Sequence, residues 1–256
     1  ESINYLSQGL QFNSTLKVLD LIGNGLDDKC IMMLSRALSQ SQSQHPTSQI
    51  EFLCLDFNNF TAVGVKALGR MLMNNTRLKD MHLCCNQIDN IGAAALSDGL
   101  KYNTSLRSLV LTFNNIGDDG ACHLAQALTT NVTLEKLWIP SNNIGDAGLI
   151  AFGEALPQMK GLAELHVGGF YDTPGATALV DGMKHNTVLT SLHLESAISS
   201  STTIHEEEDE ERTSSSLGST SVSIASPSSS SFCASMPSPP TIEEELDFYL
   251  RLNRSG

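Results

Sequence analysis

A period of 28 residues runs through most of this chain and restricts it to one kind of architecture. Segments beginning at Ile50, Leu78, Leu106 and Leu134 follow one another at 28 residues, and each reads apolar-x-x-apolar-x-apolar-x-x-Asn-x-apolar. The five complete frames are Leu16/Leu19/Leu21/Asn24/Leu26, Ile50/Leu53/Leu55/Asn58/Phe60, Leu78/Met81/Leu83/Asn86/Ile88, Leu106/Leu109/Leu111/Asn114/Ile116 and Leu134/Leu137/Ile139/Asn142/Ile144. Two further units start at Leu162 and Leu189 and lose the asparagine. A fixed period of this length means that one small unit is stacked repeatedly, each copy burying its apolar side on its neighbours.

The residue types inside a unit say what it folds into. In the x-Leu-x-Leu stretch the side chains alternate between two faces, one buried and one solvated, which predicts a short strand of a parallel sheet. The asparagine that follows has donors and an acceptor for backbone groups that a bend leaves unpaired, so Asn24, Asn58, Asn86, Asn114 and Asn142 are expected to form a structural ladder. In the second half, Gly92 is followed by Leu96 and Leu100, and Gly120 by Leu124 and Leu128. That spacing of four predicts a helix of about three turns. Each helix ends near a second asparagine (Asn75, Asn103, Asn131, Asn186), a residue suited to the turn after a helix. Aromatic residues are only 5% of the chain, so the interior must be mostly aliphatic.

The frame L-x-x-L-x-L-x-x-N-x-I-x-x-x-G-x-x-x-L-x-x-x-L resembles the leucine-rich repeat, in its long, ribonuclease-inhibitor-like class, and is similar to the repeat region of NOD-like receptors. The resemblance covers residues 2–195. It implies an α/β fold, a horseshoe-shaped solenoid of about seven repeats of about 28 residues, with a parallel β-sheet on the concave face and helices on the convex face. Two departures stand out. The first repeat is 34 residues long, its six extra residues falling in the polar stretch from Ser39 to Pro46. In the sixth unit Gly168-Gly169-Phe170-Tyr171-Asp172 replaces the asparagine turn, and the unit is 27 residues long, so distortion is expected there.

Three segments are expected. Residues 1–195 form the repeat domain, whose first 15 read as the helical half of a preceding unit, as in a piece of a longer array. Residues 196–240 turn to Ser, Thr, Pro and acid, including six consecutive acids from Glu206 to Glu211, and cannot bury enough apolar area to offset ordering entropy. Residues 241–256 read as a C-terminal helix after a capping box at Thr241 to Glu244, a candidate cap for the solenoid. The repeat domain carries 18 acids and 12 bases and the remainder 10 and 3, giving −6 and −7.

The formal net charge of −13 repels phosphate backbones and anionic lipid, so neither nucleic acid nor a membrane surface is an expected partner. No apolar run approaches the ~18 to 20 residues of a membrane-spanning helix. Six irregularly spaced cysteines do not make a disulfide framework, and a cytoplasmic, reducing location is expected, with the nucleus as the second choice. The Cys84-Cys85 pair lacks zinc-finger spacing, and the His166/His193 pair beside Glu164 and Glu195 lacks a third ligand, so no metal or cofactor is expected. Triplets of the glycan-acceptor type at Asn13, Asn103 and Asn131 coincide with the helix-end asparagine, which the repeat itself generates.

Motifs of kinases, metalloproteases and serine hydrolases are absent from the sequence, and its glycines follow the repeat period and do not cluster as a phosphate loop. The expected function is therefore non-enzymatic: a monomer, or part of a longer chain, that binds a protein ligand on the concave face as scaffold or sensor. The candidate contact residues on that face are Phe52, Cys54, His82, Val110, Lys136, Trp138, Glu164, His166 and His193. Trp138 is the only tryptophan, and a solvent-facing tryptophan contributes little to folding and much to interfaces. Two alternatives stand beside this reading: a GTPase-activating protein of the Ran type, by analogy of repeats, and a purely structural segment of a longer array.

Overall fold

The computed structural model describes residues 2–39 and 48–196. Helices and strands alternate along it: α1 (Ser2–Phe12), β1 (Val18–Asp20), α2 (Asp28–Leu38), β2 (Phe52–Cys54), α3 (Ala62–Asn74), β3 (Asp80–His82), α4 (Asn90–Leu100), β4 (Ser108–Val110), α5 (Asp118–Leu128), β5 (Lys136–Ile144), α6 (Asp146–Ala155), β6 (Glu164–Gly169), α7 (Thr173–Met183) and β7 (Ser191–Ser196). The seven strands form one parallel sheet in sequence order. This is the α/β solenoid of the repeat frame. The expectations for the polar loop after α2, the acidic serine-rich segment and the 241–256 helix lie outside the described residues.

Stacking follows from the alternation inside each strand. The inward residue of the second to sixth units (Leu53, Met81, Leu109, Leu137, Leu165) is fully buried between sheet and helices, while Leu19 and Leu192 at the two ends are less so. Each helix packs on the next in sequence, from α1 against α2 through α6 against α7. Parallel strands lie about 4.8 Å apart whereas packed helices need about 8–10 Å, so the stack must curve, with the sheet on the inside. The strand face is therefore the concave face.

Three sets of side chains tie the repeats together through backbone groups. In the first, Asn114 Nδ2 donates to Leu111 O and Thr112 O in its own unit and to Leu83 O in the preceding one, while its Oδ1 accepts from Ile88 N. Asn58 and Asn142 repeat this pattern. Asn86 makes the donor bonds, but its buried Oδ1 has no partner. Asn24 departs from the expected ladder: it is exposed and donates only to Ile22 O, because among the described residues no strand lies outside β1. In the second set, Asn103 and Asn131 donate to carbonyls of the preceding unit and accept from their own turn. Both are buried, at 4% and 3% exposure, which leaves no room for a glycan on either.

The third set caps helices across repeats. Helices α5 and α6 begin after Gly117 and Gly145, which have no side chain to accept their first N–H groups. The acceptor comes from the helix before: Asn90 Oδ1 takes the N–H of Gly117 and Gly120, Asp118 Oδ1 those of Gly145 and Gly148, and Asp146 Oδ1 those of Asp172 and Gly175. Ala62 breaks the series at α3, and α4 is capped by its own Asp89 instead.

The sixth unit is distorted as its residues imply. Between β5 and β6 the register shifts, Ile139 pairing with Val167 and Ile144 with Gly169, so five steps on one strand face two on the other. Gly169 is required at this point, since a Cβ there would lie 2.1 Å from Ile144 O.

Candidate functional site

The register brings the concave residues into columns. Asp20, Cys54, His82, Val110, Trp138, His166 and His193 pair one after another across the sheet, and Val18, Phe52, Asp80, Ser108, Lys136, Glu164 and Ser191 form the column beside them. The expected contact residues therefore share one surface, but they do not share one environment. Cys54 and Val110 are buried, at 2% and 7% exposure, and form the floor of that surface. They are small side chains in a column of large ones: Val110 sits between His82 and Trp138, and Cys54 next to His82, whose ring meets Phe52 edge-on at 5.0 Å.

At the other end of the column the rings stack. Trp138 lies against His166 at 4.7 Å with planes 13° apart, and His166 lies 3.9 Å from His193. The Trp138 indole N–H donates to Glu164 Oε1 at 3.1 Å, and Lys136 Nζ pairs with Glu164 Oε2 at 3.2 Å. His166 Nε2 comes within 3.2 Å of Glu164 Oε1, the oxygen that also accepts from Trp138. Burial, and secondarily the neighbouring His193, push the His166 imidazole below its usual pKa of 6.5. The ring is therefore held in its neutral form, which stacks on an indole without a desolvated charge.

Between these two clusters an open groove of about 630 Å³ crosses β2 to β5. His82, Val110, Lys136 and Trp138 of the expected residues line it, whereas Phe52, Cys54, Glu164, His166 and His193 do not. Its rim contains side chains that the strand frame alone misses. Phe57 and Phe113 are 62% and 60% exposed, and both sit in the left-handed region at φ 54° and 55°. They occupy the position just before the ladder asparagine, where the chain must turn; Gly23 fills it in the first repeat, Cys85 and Ser141 in two others. A non-glycine residue there costs of order 1 kcal/mol or more. The signal in sequence is the phenylalanine before the asparagine in Phe57-Asn58-Asn59 and Phe113-Asn114-Asn115.

Arg107 and Glu135, which line the groove, pair across neighbouring units, and outside it Glu51 bridges Lys79 and Lys17 at 2.6 and 3.0 Å. The hydrogen bond from Lys79, then that from Lys17, lowers Glu51 to a pKa of about 2. Two thiols on the floor behave oppositely: burial, reinforced by nearby Asp56, raises Cys54 to about 11 and Cys84 to about 12. They are neutral thiols and not nucleophiles at physiological pH.

These features define the class: a parallel-sheet solenoid of leucine-rich repeats whose inner face carries an aromatic groove. In agreement, the family described as Leucine Rich repeat matches residues 12–35, 102–125 and 130–153. Among solved structures, the chain is similar to one titled "Leiomodin-1 Actin-Binding Site 2 (ABS2)", at 15% identity and a TM-score of 0.39, over 75% of this chain and 77% of that one.

Proposed function

We propose that the chain is a non-enzymatic module that binds a protein on its concave face, with the groove between Phe57, Phe113 and Trp138 as the contact centre. The observation that carries this reading is the pair of exposed phenylalanines held in strained backbone conformation over a groove whose floor holds the single tryptophan. Exposed aromatic area and local strain both cost stability, and both serve a ligand that buries them. The charged rim of Arg107, Glu135 and Lys136 supplies the polar border found around interface centres. The 28-residue units with full α-helices support the ribonuclease-inhibitor-like class, and a sensor or scaffold role rests on the resemblance of the sequence frame to NOD-like receptor repeats. Free thiols at Cys30, Cys54, Cys84 and Cys85 suit the reducing cytoplasm.

The experiment is a capture from cell lysate by wild type, Trp138→Ala and Phe57→Ala/Phe113→Ala side by side, after checking that all three melt alike. The captured protein is then titrated against each. We expect both variants to bind about 30-fold more weakly, the equivalent of ~2 kcal/mol for an interface centre. Equal affinities would move the contact away from the groove and favour a structural segment.

A further inference from the structure

The N-terminal half of the concave face carries a second cluster, which the aromatic groove does not explain. Cys54 and Asp56 alternate on the concave side of one repeat, His82 and Cys84 on that of the next. The register pairs Cys54 with His82, and backbone bonds from Leu55 N to His82 O and from Phe57 N to Cys84 O carry the ladder onward. One ligating atom each from Cys54, Asp56 and His82 falls within 4.8 Å of the others. Cys54 is buried and the other two are half-buried, so the three converge on the floor from one side.

We propose that Cys54 Sγ, Asp56 Oδ2 and a ring nitrogen of His82 bind one divalent cation of the zinc class. Thiolate, imidazole and carboxylate together are the donor set of a borderline-soft ion; magnesium and calcium take oxygen ligands instead. Bonds of about 2.0 to 2.3 Å in tetrahedral array put donor atoms about 3.3 to 3.8 Å apart, so ligand atoms at most 4.8 Å apart close on the ion by small side-chain rotations. Asp56 is already oriented: its Oδ1 accepts the backbone N–H of Cys84 at 2.6 Å, leaving Oδ2 for the metal. The charged side chains beside the cluster on β1 to β3 are acidic, while Arg107 and Lys136 lie further along the same groove. In the two inner columns β1 to β3 present Asp20 and Asp80 beside the cluster and no lysine or arginine. On binding, Cys54 loses its proton to solvent and the sulfur lone pair forms the bond to the ion.

Sequence spacing hides such a site. It reads Cys-x-Asp, then His two residues before Cys84, separated by the repeat and not by a two-residue zinc knuckle; the parallel register makes it local.

The test uses cobalt(II) added to the full chain after treatment with chelator and reductant. The expected result is one equivalent bound, with a thiolate-to-cobalt charge-transfer band and tetrahedral visible bands that zinc(II) removes by displacement. Cys54→Ala should abolish the charge-transfer band, and Asp56→Asn and His82→Gln should each weaken binding about tenfold or more. Cys122→Ala, at an exposed thiol on α5, should leave the spectrum unchanged. The proposal is overturned by absence of the band in a folded wild type, by its survival in Cys54→Ala, or by unchanged affinity in both Asp56→Asn and His82→Gln. Asp56→Asn keeps the shape and the bond from Cys84, so it decides the matter even if the cysteine variant folds poorly.

Discussion

Asp118 caps a helix that is not its own: its Oδ1 accepts from Gly145 N at 2.7 Å and from Gly148 N at 2.9 Å, at the start of α6. Gly145 offers no side chain for the purpose, and at Gly148 a Cβ would crowd Ile144 Cγ2 at 2.7 Å and that same oxygen at 2.9 Å. The two positions are thus coupled across a repeat boundary. Asp118→Ala should destabilise the chain by ~0.5 to 2 kcal/mol, the range for a lost N-cap. Asp119→Ala, on the exposed neighbour in the same first turn, should lie within ~0.5 kcal/mol of wild type. Chemical denaturation of the two variants checks this; equal losses would mean that Asp118 acts only through its charge near the α5 N-terminus.

The asparagine ladder predicts a graded series. Asn114 is buried and serves four backbone groups in two units, whereas Asn24 is exposed and serves one. Asn114→Ala should cost ~1 to 3 kcal/mol by leaving buried carbonyls and an N–H unpaired. Asn24→Ala should change the melting transition little, within ~0.5 kcal/mol. Thermal or urea unfolding of both decides; a cost at Asn24 equal to that at Asn114 contradicts the bonding described.

How far the sequence discloses this molecule can be seen residue by residue. The columns from Asp20 to His193 are legible because strand side chains alternate with period two and the repeat fixes the register, so position five of every unit must align. Burial within a column is not legible. Cys54 and Val110 look solvent-facing in the frame and are buried in a column where the larger His82 and Trp138 flank them. The outward aim of Phe57 and Phe113 depends on a left-handed turn residue, which the composition of the turn does not announce. Capping by Asn90, Asp118 and Asp146 depends on the offset between neighbouring helices, a tertiary quantity.

The buried leucines of the strand give the sharpest check of the frame itself. Leu83 and Leu111 are fully buried. Each touches the core shared by two units, so truncation removes transfer free energy and leaves a cavity that neither unit can close alone. Leu83→Ala and Leu111→Ala should each cost ~2 to 5 kcal/mol, measured by denaturant unfolding. Values under 1 kcal/mol at both would show that these side chains face solvent and that the repeat register is shifted by one residue.

Because Trp138 is the single tryptophan and lies stacked on His166, its fluorescence reports on the protonation of that ring. His166 faces His193, Glu164 and Lys136; burial and His193 lower its pKa, Lys136 adds to this, and Glu164 opposes. A folded pKa below 6.5 means that the unfolded chain takes up the proton first. The stability from the neutral ring is therefore complete above about pH 6.5 and is lost as pH falls through and below that value. An imidazolium against the indole quenches its emission, so fluorescence should drop on acidification with a midpoint below 6.5. His193→Gln removes the like charge and should move the midpoint upward, and His166→Gln should abolish the transition. A midpoint at or above 6.5 in wild type, or a transition that persists in His166→Gln, would show that another group controls the stack.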